Sequence, residues 1–200
     1  MTPRSRIVWT SVGIALSIGL PCVGTSVVSA YSDSTQHSNA SLHALLESVG
    51  GVLAILVAAI LVFERHNTGD RRHHLTWLSA GFAFMGVLDV MHAATVDPNT
   101  SVWLHSMAVL GGGVAFALAW TEDRLFSKRF EPVLPWAALC LATLIGIATF
   151  AYPSGVPEMI QGTRFTSSAI ALNAVGGVGF LIAAVFFVSR FHLEYDLTDW

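Results

Sequence analysis

One apolar stretch constrains what this chain can fold into. Residues 42–63 read LHALLESVGGVLAILVAAILVF, and about 22 residues are enough to cross a bilayer as an α-helix. The stretch carries a carboxylate, Glu47, near one end. A charged group inside a membrane segment is costly, so it usually faces a partner, a cavity or a ligand rather than lipid. The small residues Gly51, Ala54 and Ala58 share its helix face, which predicts that this face packs inside a helix bundle.

The composition supports the same class of protein. The chain is 54% hydrophobic and 12% charged, whereas soluble domains average about 25% charged residues. The net charge is only −3, and the basic residues lie in short loops rather than in a patch, which argues against a nucleic-acid partner. Cys22 and Cys140 both lie in apolar runs, so neither a disulfide framework nor a cysteine metal motif is indicated. The sequence therefore predicts one integral membrane domain.

The hydrophobic pattern predicts an all-α polytopic bundle of about six transmembrane helices. The first apolar run ends in Val28-Ser29-Ala30, which also fits signal-peptide cleavage, and cleavage after Ala30 would leave five helices. The predicted spans are residues 7–30, 42–63, 74–96, 102–120, 134–152 and 167–190. The predicted organisation is a first helix or signal peptide (1–30), an external loop (31–41), a membrane domain (42–190), and a cytoplasmic tail or the start of a further segment (191–200).

Loop charges predict the orientation in the cell membrane. Cytoplasmic loops carry an excess of Lys and Arg. With the spans above, Arg164 is the one basic residue on the opposite side. The basic residues on the shared side are Arg4, Arg6, Arg65, Arg71, Arg72, Arg124, Lys128, Arg129 and Arg190. We therefore expect the N-terminus to be cytoplasmic if the first helix is retained.

Five titratable side chains are predicted to meet near the outer face. Asp89 and His92 are three residues apart and share a face of the third span, and His105 lies in the fourth span. Consecutive helices joined by short loops are usually neighbours. At the helical rise per residue, all five residues lie about 21–30 Å from the cytoplasmic helix ends. The candidate metal ligands are His43, Glu47, Asp89, His92 and His105.

Several chemistries fit this constellation. Imidazole and carboxylate ligands suit a transition metal such as zinc, copper or iron. Two histidines on different helices suit a haem, with Gly111–Gly113 leaving room for the ring. A proton site or an organic ligand site without metal is a third reading. The fourth is structural, in which each side chain hydrogen-bonds helix to helix for about 1 kcal/mol.

The remaining polar residues suggest structural roles. Asn173, in the last span, is expected to hydrogen-bond to a neighbouring helix. Five other histidines fall in loops or near helix ends, where solvation is expected. They are His37, His66, His73, His74 and His192.

Several short motifs resemble a known family. They are HALLE at 43–47, GVLDVMHA at 86–93, WLHS at 103–106, and Phe165-Thr166 with ALN at 171–173 and Gly176-Gly177. Together they resemble the membrane-associated sensor domains of the MASE type, third class. Those domains form the N-terminal membrane part of bacterial sensor histidine kinases and diguanylate cyclases. The resemblance implies an input module in the bacterial inner membrane that signals to a cytoplasmic output domain, with a homodimer as the usual assembly.

The sequence-based prediction is thus a sensory input domain without catalytic residues of its own, surrounded by membrane lipid. The alternatives are an intramembrane metal-dependent hydrolase, in which Glu47 and Ser106 would take part in the chemistry, and a membrane haem protein. The kinase or cyclase region and the further membrane helices of the resembled family are not present in this sequence.

Overall fold

The computed structural model describes residues 40–68, 73–121 and 130–193, with six single positions between residues 8 and 23. Those six positions are helical, but the rest of the predicted first span, including the cleavage position after Ala30, lies outside the described residues. Residues 41–187, apart from the undescribed positions, belong to one compact unit, whereas Ala40 and residues 188–193 belong to another. The candidate site lies wholly in the first of these units.

Five helices account for most of the described residues. They are α1 (Ala40–Thr68), α2 (His73–Ala93), α3 (Pro98–Leu118), α4 (Leu134–Ala151) and α5 (Ser167–Leu193). Each is long and apolar enough to cross a membrane. The prediction of an all-α bundle of membrane spans is confirmed.

Helix α2 is the central element of the bundle. In its span, 61% of the residues are buried, against 11% in α1. The core forms where α2 packs against α3 and α4, and it contains Phe84, Leu88, Leu104, Ala108 and Ala142. The other helices leave large apolar side chains on their outer surfaces. An apolar exterior suits a protein whose solvent on that side is lipid.

The junction between α2 and α3 is set by a short capping sequence. Asp97 is the N-cap of α3, its carboxylate accepts a hydrogen bond from the backbone N–H of Thr100 at 2.8 Å, and Pro98 occupies the first helical position. Proline is favoured there because its missing N–H has no helical partner to lose. Helix α3 therefore begins four residues before the predicted residue 102, and α2 ends at Ala93 rather than at 96.

A small hairpin connects α4 to α5. Strands β1 (Ile160–Gln161) and β2 (Arg164–Phe165) pair antiparallel, and Gly162 takes a positive φ of 62° at the turn, where glycine is the least strained residue. The side chain of Asn99 forms hydrogen bonds with the backbone just before β1. Its Oδ1 accepts the backbone N–H of Met159 at 2.7 Å, and its Nδ2 donates to the carbonyl of Pro157 at 3.0 Å.

Helices α3 and α5 approach each other through glycine. A Cβ added to Gly113 would collide with the backbone of Gly176, and a Cβ added to Gly176 would collide with the backbone of Val109. By contrast, a Cβ at the next residue, Gly177, would meet no atom within 4 Å. Small residues at such a crossing allow the close backbone contact that stabilises helix pairs in lipid.

These two neighbouring glycines predict opposite effects of the same substitution. Gly177→Ala should raise the thermal midpoint of the detergent-solubilised protein, because alanine is favoured over glycine in a helix by up to about 1 kcal/mol. Gly176→Ala should lower it, because overpacking typically costs about 1–3 kcal/mol. Equal midpoints for the two variants would contradict the observed packing of α3 against α5.

The cap of α3 predicts a specific pH dependence. Hydrogen bonds from the hydroxyl and then the backbone N–H of Thr100 lower the pKa of Asp97 below its ordinary value of 3.8. A group with a lowered pKa stabilises the folded state fully above its ordinary pKa, and the effect is lost as the pH falls through the lowered value.

We therefore expect Asp97→Ala to lower the thermal midpoint by a constant amount between pH 5 and pH 7. The difference from the unmodified protein should shrink only at pH values below about 4. A difference that has already vanished at pH 5 would contradict the assigned cap.

Candidate functional site

His92, in the last turn of α2, is held in one orientation by the start of α3. Its Nδ1 lies 2.8 Å from the carbonyl oxygen of Ser101 and 2.9 Å from the Ser101 hydroxyl. A carbonyl oxygen can only accept a hydrogen bond, so Nδ1 carries the proton and donates it. The other ring nitrogen, Nε2, is thereby left to interact with α1.

That second nitrogen contacts the carboxylate identified in the opening stretch of the sequence. His92 Nε2 lies 2.8 Å from Glu47 Oε2. An unprotonated nitrogen and an ionised carboxylate would repel each other at this distance, so one proton lies between the two atoms. This shared proton gives the pair no net charge. The contact joins α1 to α2 near the end of the bundle that also contains the α2–α3 junction.

A second histidine–carboxylate pair lies beside the first. His105 Nδ1 is 3.6 Å from Asp89 Oδ1, which is too long for a direct hydrogen bond but close enough for attraction between charges. The His105 side chain is 52% exposed. The rings of His92 and His105 are 5.3 Å apart between centroids and are tilted by 44°. Two imidazoles and two carboxylates therefore occupy one small region.

Both histidines open onto a cavity of about 600 Å³, which we call the histidine cleft. The volume is within the range of about 300–1,000 Å³ that is usual for small-molecule sites. The cleft is lined by polar side chains, including the two histidines, and by apolar side chains, including Phe165 from β2. Its lining residues are Glu47, His92, Ser101, Val102, His105, Ser106, Phe165, Ala169, Ile170 and Asn173.

Asn173, which also lines the histidine cleft, connects α5 to α3. Its Nδ2 donates to the hydroxyl oxygen of Ser106 at 2.8 Å and to the carbonyl of Ala169 at 2.9 Å. The predicted interhelical hydrogen bond of Asn173 is confirmed. Ser106 is fully buried, and the hydrogen bond that its hydroxyl accepts from Asn173 links the two helices.

The structure thus brings together four of the five predicted ligands. These are Glu47, Asp89, His92 and His105. His43 lies in α1 one turn before Glu47, but its side chain is outside the described part of the structure. Within residues 40–68, 73–121 and 130–193, no three His, Cys, Asp or Glu side chains are arranged to hold a metal ion together. Metal binding by these residues stays a prediction.

The space that the sequence analysis assigned to a haem ring is filled. A Cβ at Gly111 would collide with the ring of Phe84, one at Gly112 with Met85, and one at Gly113 with the backbone of α5. The three glycines serve close helix packing. Because neighbouring atoms fill the space beside these glycines, there is no room for a haem ring at that position.

The structure also contains a polar cluster that the sequence analysis missed. Arg65 Nη2 lies 2.8 Å from Glu131 Oε2, and His73 Nδ1 lies 2.9 Å from Glu131 Oε1, although the second contact is not aligned as a regular hydrogen bond. Trp77 donates its indole N–H to His73 Nε2 at 3.2 Å. Glu131 is only 4% exposed. We call these four residues the Glu131 cluster.

The prediction that His73 and His74 are solvated was therefore wrong. His73 is held in the Glu131 cluster, and His74 is buried, with its ring edge-on to Phe187 of α5 at 6.1 Å. Both lie in the first turn of the most buried helix, where the sequence pattern does not show that α5 and the segment before α4 cover them. His66 is exposed as predicted, whereas His37 and the side chain of His192 lie outside the described residues.

Comparison with known proteins adds no relative. No family model matches the sequence, and no curated protein and no solved structure matches the chain.

The Glu131 cluster yields a stability prediction. Removing one partner of a buried ion pair usually costs about 3–5 kcal/mol, because it leaves a buried charge without compensation. Glu131→Ala should therefore destabilise the protein strongly, as measured by thermal unfolding in detergent. Glu158→Ala, which removes an exposed carboxylate, is the control and should change the midpoint little. Similar small effects from both variants would show that the pair contributes little.

Proposed function

We propose that this chain is the membrane-embedded sensory input domain of a bacterial signalling protein, and that the histidine cleft receives the stimulus. The first ligand class we assign to the cleft is a transition metal ion, namely zinc, copper or iron. The observation that carries the proposal is the orientation of His92. Its Nδ1 donates to the carbonyl of Ser101 while Nε2 meets Glu47 at 2.8 Å.

This orientation is the one that metal-binding histidines usually have. Such a histidine donates one ring N–H to a carbonyl or carboxylate and coordinates through the other nitrogen. At His92, the coordinating position is the one that now holds the proton shared with Glu47. A metal ion entering there would replace that proton and would gain an imidazole ligand and a carboxylate ligand at once.

A third potential ligand lies beside the first two and would have to move toward them to complete the site. His105 lies with its ring 5.3 Å from that of His92, and Asp89 is placed to orient it, as carboxylates do around metal-bound histidines. The resulting ligand set would come from three helices, with Glu47 from α1, His92 from α2 and His105 from α3. An organic ligand of the histidine cleft would contact the same three residues.

Ligands on three different helices suit a sensor. A bound ion would favour the helix packing in which the three side chains converge over packings in which they do not. From the loop charges we expect the histidine cleft at the outer face of the membrane and the Glu131 cluster at the cytoplasmic face. The proposed signal would therefore cross the bilayer through the helices and reach a cytoplasmic output domain, with a homodimer as the proposed assembly.

The metal proposal is tested by elemental analysis of the protein purified in mild detergent. We expect close to one zinc, copper or iron ion per chain after incubation with the metal, and its loss in His92→Ala and in His105→Ala. His66→Ala, an exposed histidine on the same chain, should retain the metal. An optical spectrum of the same samples would reveal a haem.

A protein that stays free of metal after exposure to each of the three ions would overturn the assignment of a metal. Metal retained in both cleft variants would place its binding elsewhere in the chain.

A further inference from the structure

Helices α1 and α2 are joined near both ends by contacts that involve a carboxylate and a histidine. At one end, Glu47 of α1 meets His92 of α2. At the other end, Arg65 of α1 and His73 of α2 both meet the carboxylate of Glu131. Along α1, Glu47 and Arg65 are 18 residues apart in sequence, which corresponds to about 27 Å of helix. The two joints thus lie near opposite faces of the bilayer.

Between the two joints, the helices touch backbone to backbone. A Cβ added to Gly51 would lie 2.8 Å from the carbonyl oxygen of Gly86, and a Cβ added to Gly86 would lie 2.6 Å from that of Gly51. The backbones are in close contact at this crossing, with the side chains of Val90 and Ile55 packed beside the two glycines, so the helices have no room to move closer together. Rotation about this contact is the simplest change in the angle between α1 and α2.

The Gly51–Gly86 contact is much closer to Glu47 than to Arg65 along α1, so a rotation about it would move these two residues by different amounts. Gly51 is four residues from Glu47 and fourteen from Arg65, which corresponds to about 6 Å and about 21 Å along the helix. If α1 turns as a rigid body, a displacement of about 1 Å at Glu47 becomes about 3.5 Å at Arg65. A displacement of that size breaks the 2.8 Å contact between Arg65 and Glu131 unless the Arg65 side chain changes its conformation.

The Glu131 cluster, at the far end of α1 from Glu47, is connected to two further helices. Glu131 belongs to the short 3₁₀ helix Glu131–Val133 that leads directly into α4. His74, next to His73 on α2, contacts the ring of Phe187 on α5. A change at the Glu131 cluster would therefore reach α4 and α5 as well as α1 and α2.

We infer that the Glu131 cluster is a latch whose state is coupled, through rotation of α1 about the Gly51–Gly86 contact, to the state of the Glu47–His92 pair. The inference rests on the proposed function for its biological meaning, since it supplies the path by which occupancy of the histidine cleft would be felt at the opposite face. The coupling itself follows from the three contacts of α1.

The first test needs no ligand. Glu47→Ala removes the contact between α1 and α2 at the histidine cleft, and Asp89→Ala removes the neighbouring pair, which does not involve α1. Hydrogen–deuterium exchange is followed in peptides that contain residues 73–77 and 130–136. We expect exchange in these distant peptides to be at least threefold faster in Glu47→Ala, and to be within twofold of the unmodified protein in Asp89→Ala.

Either of two results overturns the inference. Unchanged exchange in Glu47→Ala would show that the two ends are independent. Equal acceleration in both variants would show general loosening of the bundle rather than rotation of α1. If Glu47→Ala does not fold, Glu47→Leu replaces it, because leucine keeps much of the volume of the side chain but cannot hydrogen-bond to His92.

The second test changes the Glu131 cluster and measures the effect on the histidine cleft. Coupling between two sites is reciprocal, so Glu131→Gln should change the affinity of the histidine cleft for zinc by at least threefold, as measured by titration calorimetry. Unchanged affinity in a folded variant would overturn the latch. Absence of zinc binding to the unmodified protein would instead exclude zinc as the ligand and leave the exchange experiment to decide the coupling.

Discussion

A carboxylate within a membrane-spanning bundle needs a neutralising partner, and this requirement organises the structure. Glu47 meets His92, Asp89 faces His105, and Glu131 lies between Arg65 and His73. Each pairing joins residues from different parts of the chain, so satisfying the charge also fixes the neighbouring elements. Removing these groups from water is costly, and the costs fall at the two ends of the bundle. Between the ends, the bundle is held together by apolar packing around α2.

The charged groups at the two ends of the bundle differ in how exposed they are. The Glu131 cluster is the less accessible of the two, since the side chains of Glu131, His73 and Arg65 are only 5%, 12% and 14% exposed, although Arg65 also lines a smaller cavity of about 300 Å³. The histidine pairs border the histidine cleft, and His105 is half-exposed. Buried ionisable groups that line a cavity in a membrane protein are often functional. This contrast in access is the reason for assigning ligand binding to the histidine cleft and a conformational role to the Glu131 cluster.

The sequence predicted the parts of this arrangement that depend on periodicity. Long apolar runs identified the five described helices, and the spacing of Asp89 and His92 placed both on one face of α2. The bond from Asn173 followed from the cost of an unpaired amide in lipid. Glu131 was not predicted, because it follows a charged loop and its burial depends on α1 and α2 folding over it. The hairpin was missed because each strand has only two residues, too few to show an alternating pattern.

Helix α1 has a length that ties it to its surroundings in another way. Its apolar stretch, residues 42–63, extends for about 33 Å, slightly more than the hydrocarbon core of a bilayer, which is about 30 Å thick. A helix longer than the membrane tilts to keep its apolar surface covered, and α1 is the least buried of the five spans. Its tilt is therefore set by the thickness of the surrounding lipid as well as by its protein neighbours. Cells that alter their acyl chain length would alter the resting angle of this helix without any change in the protein.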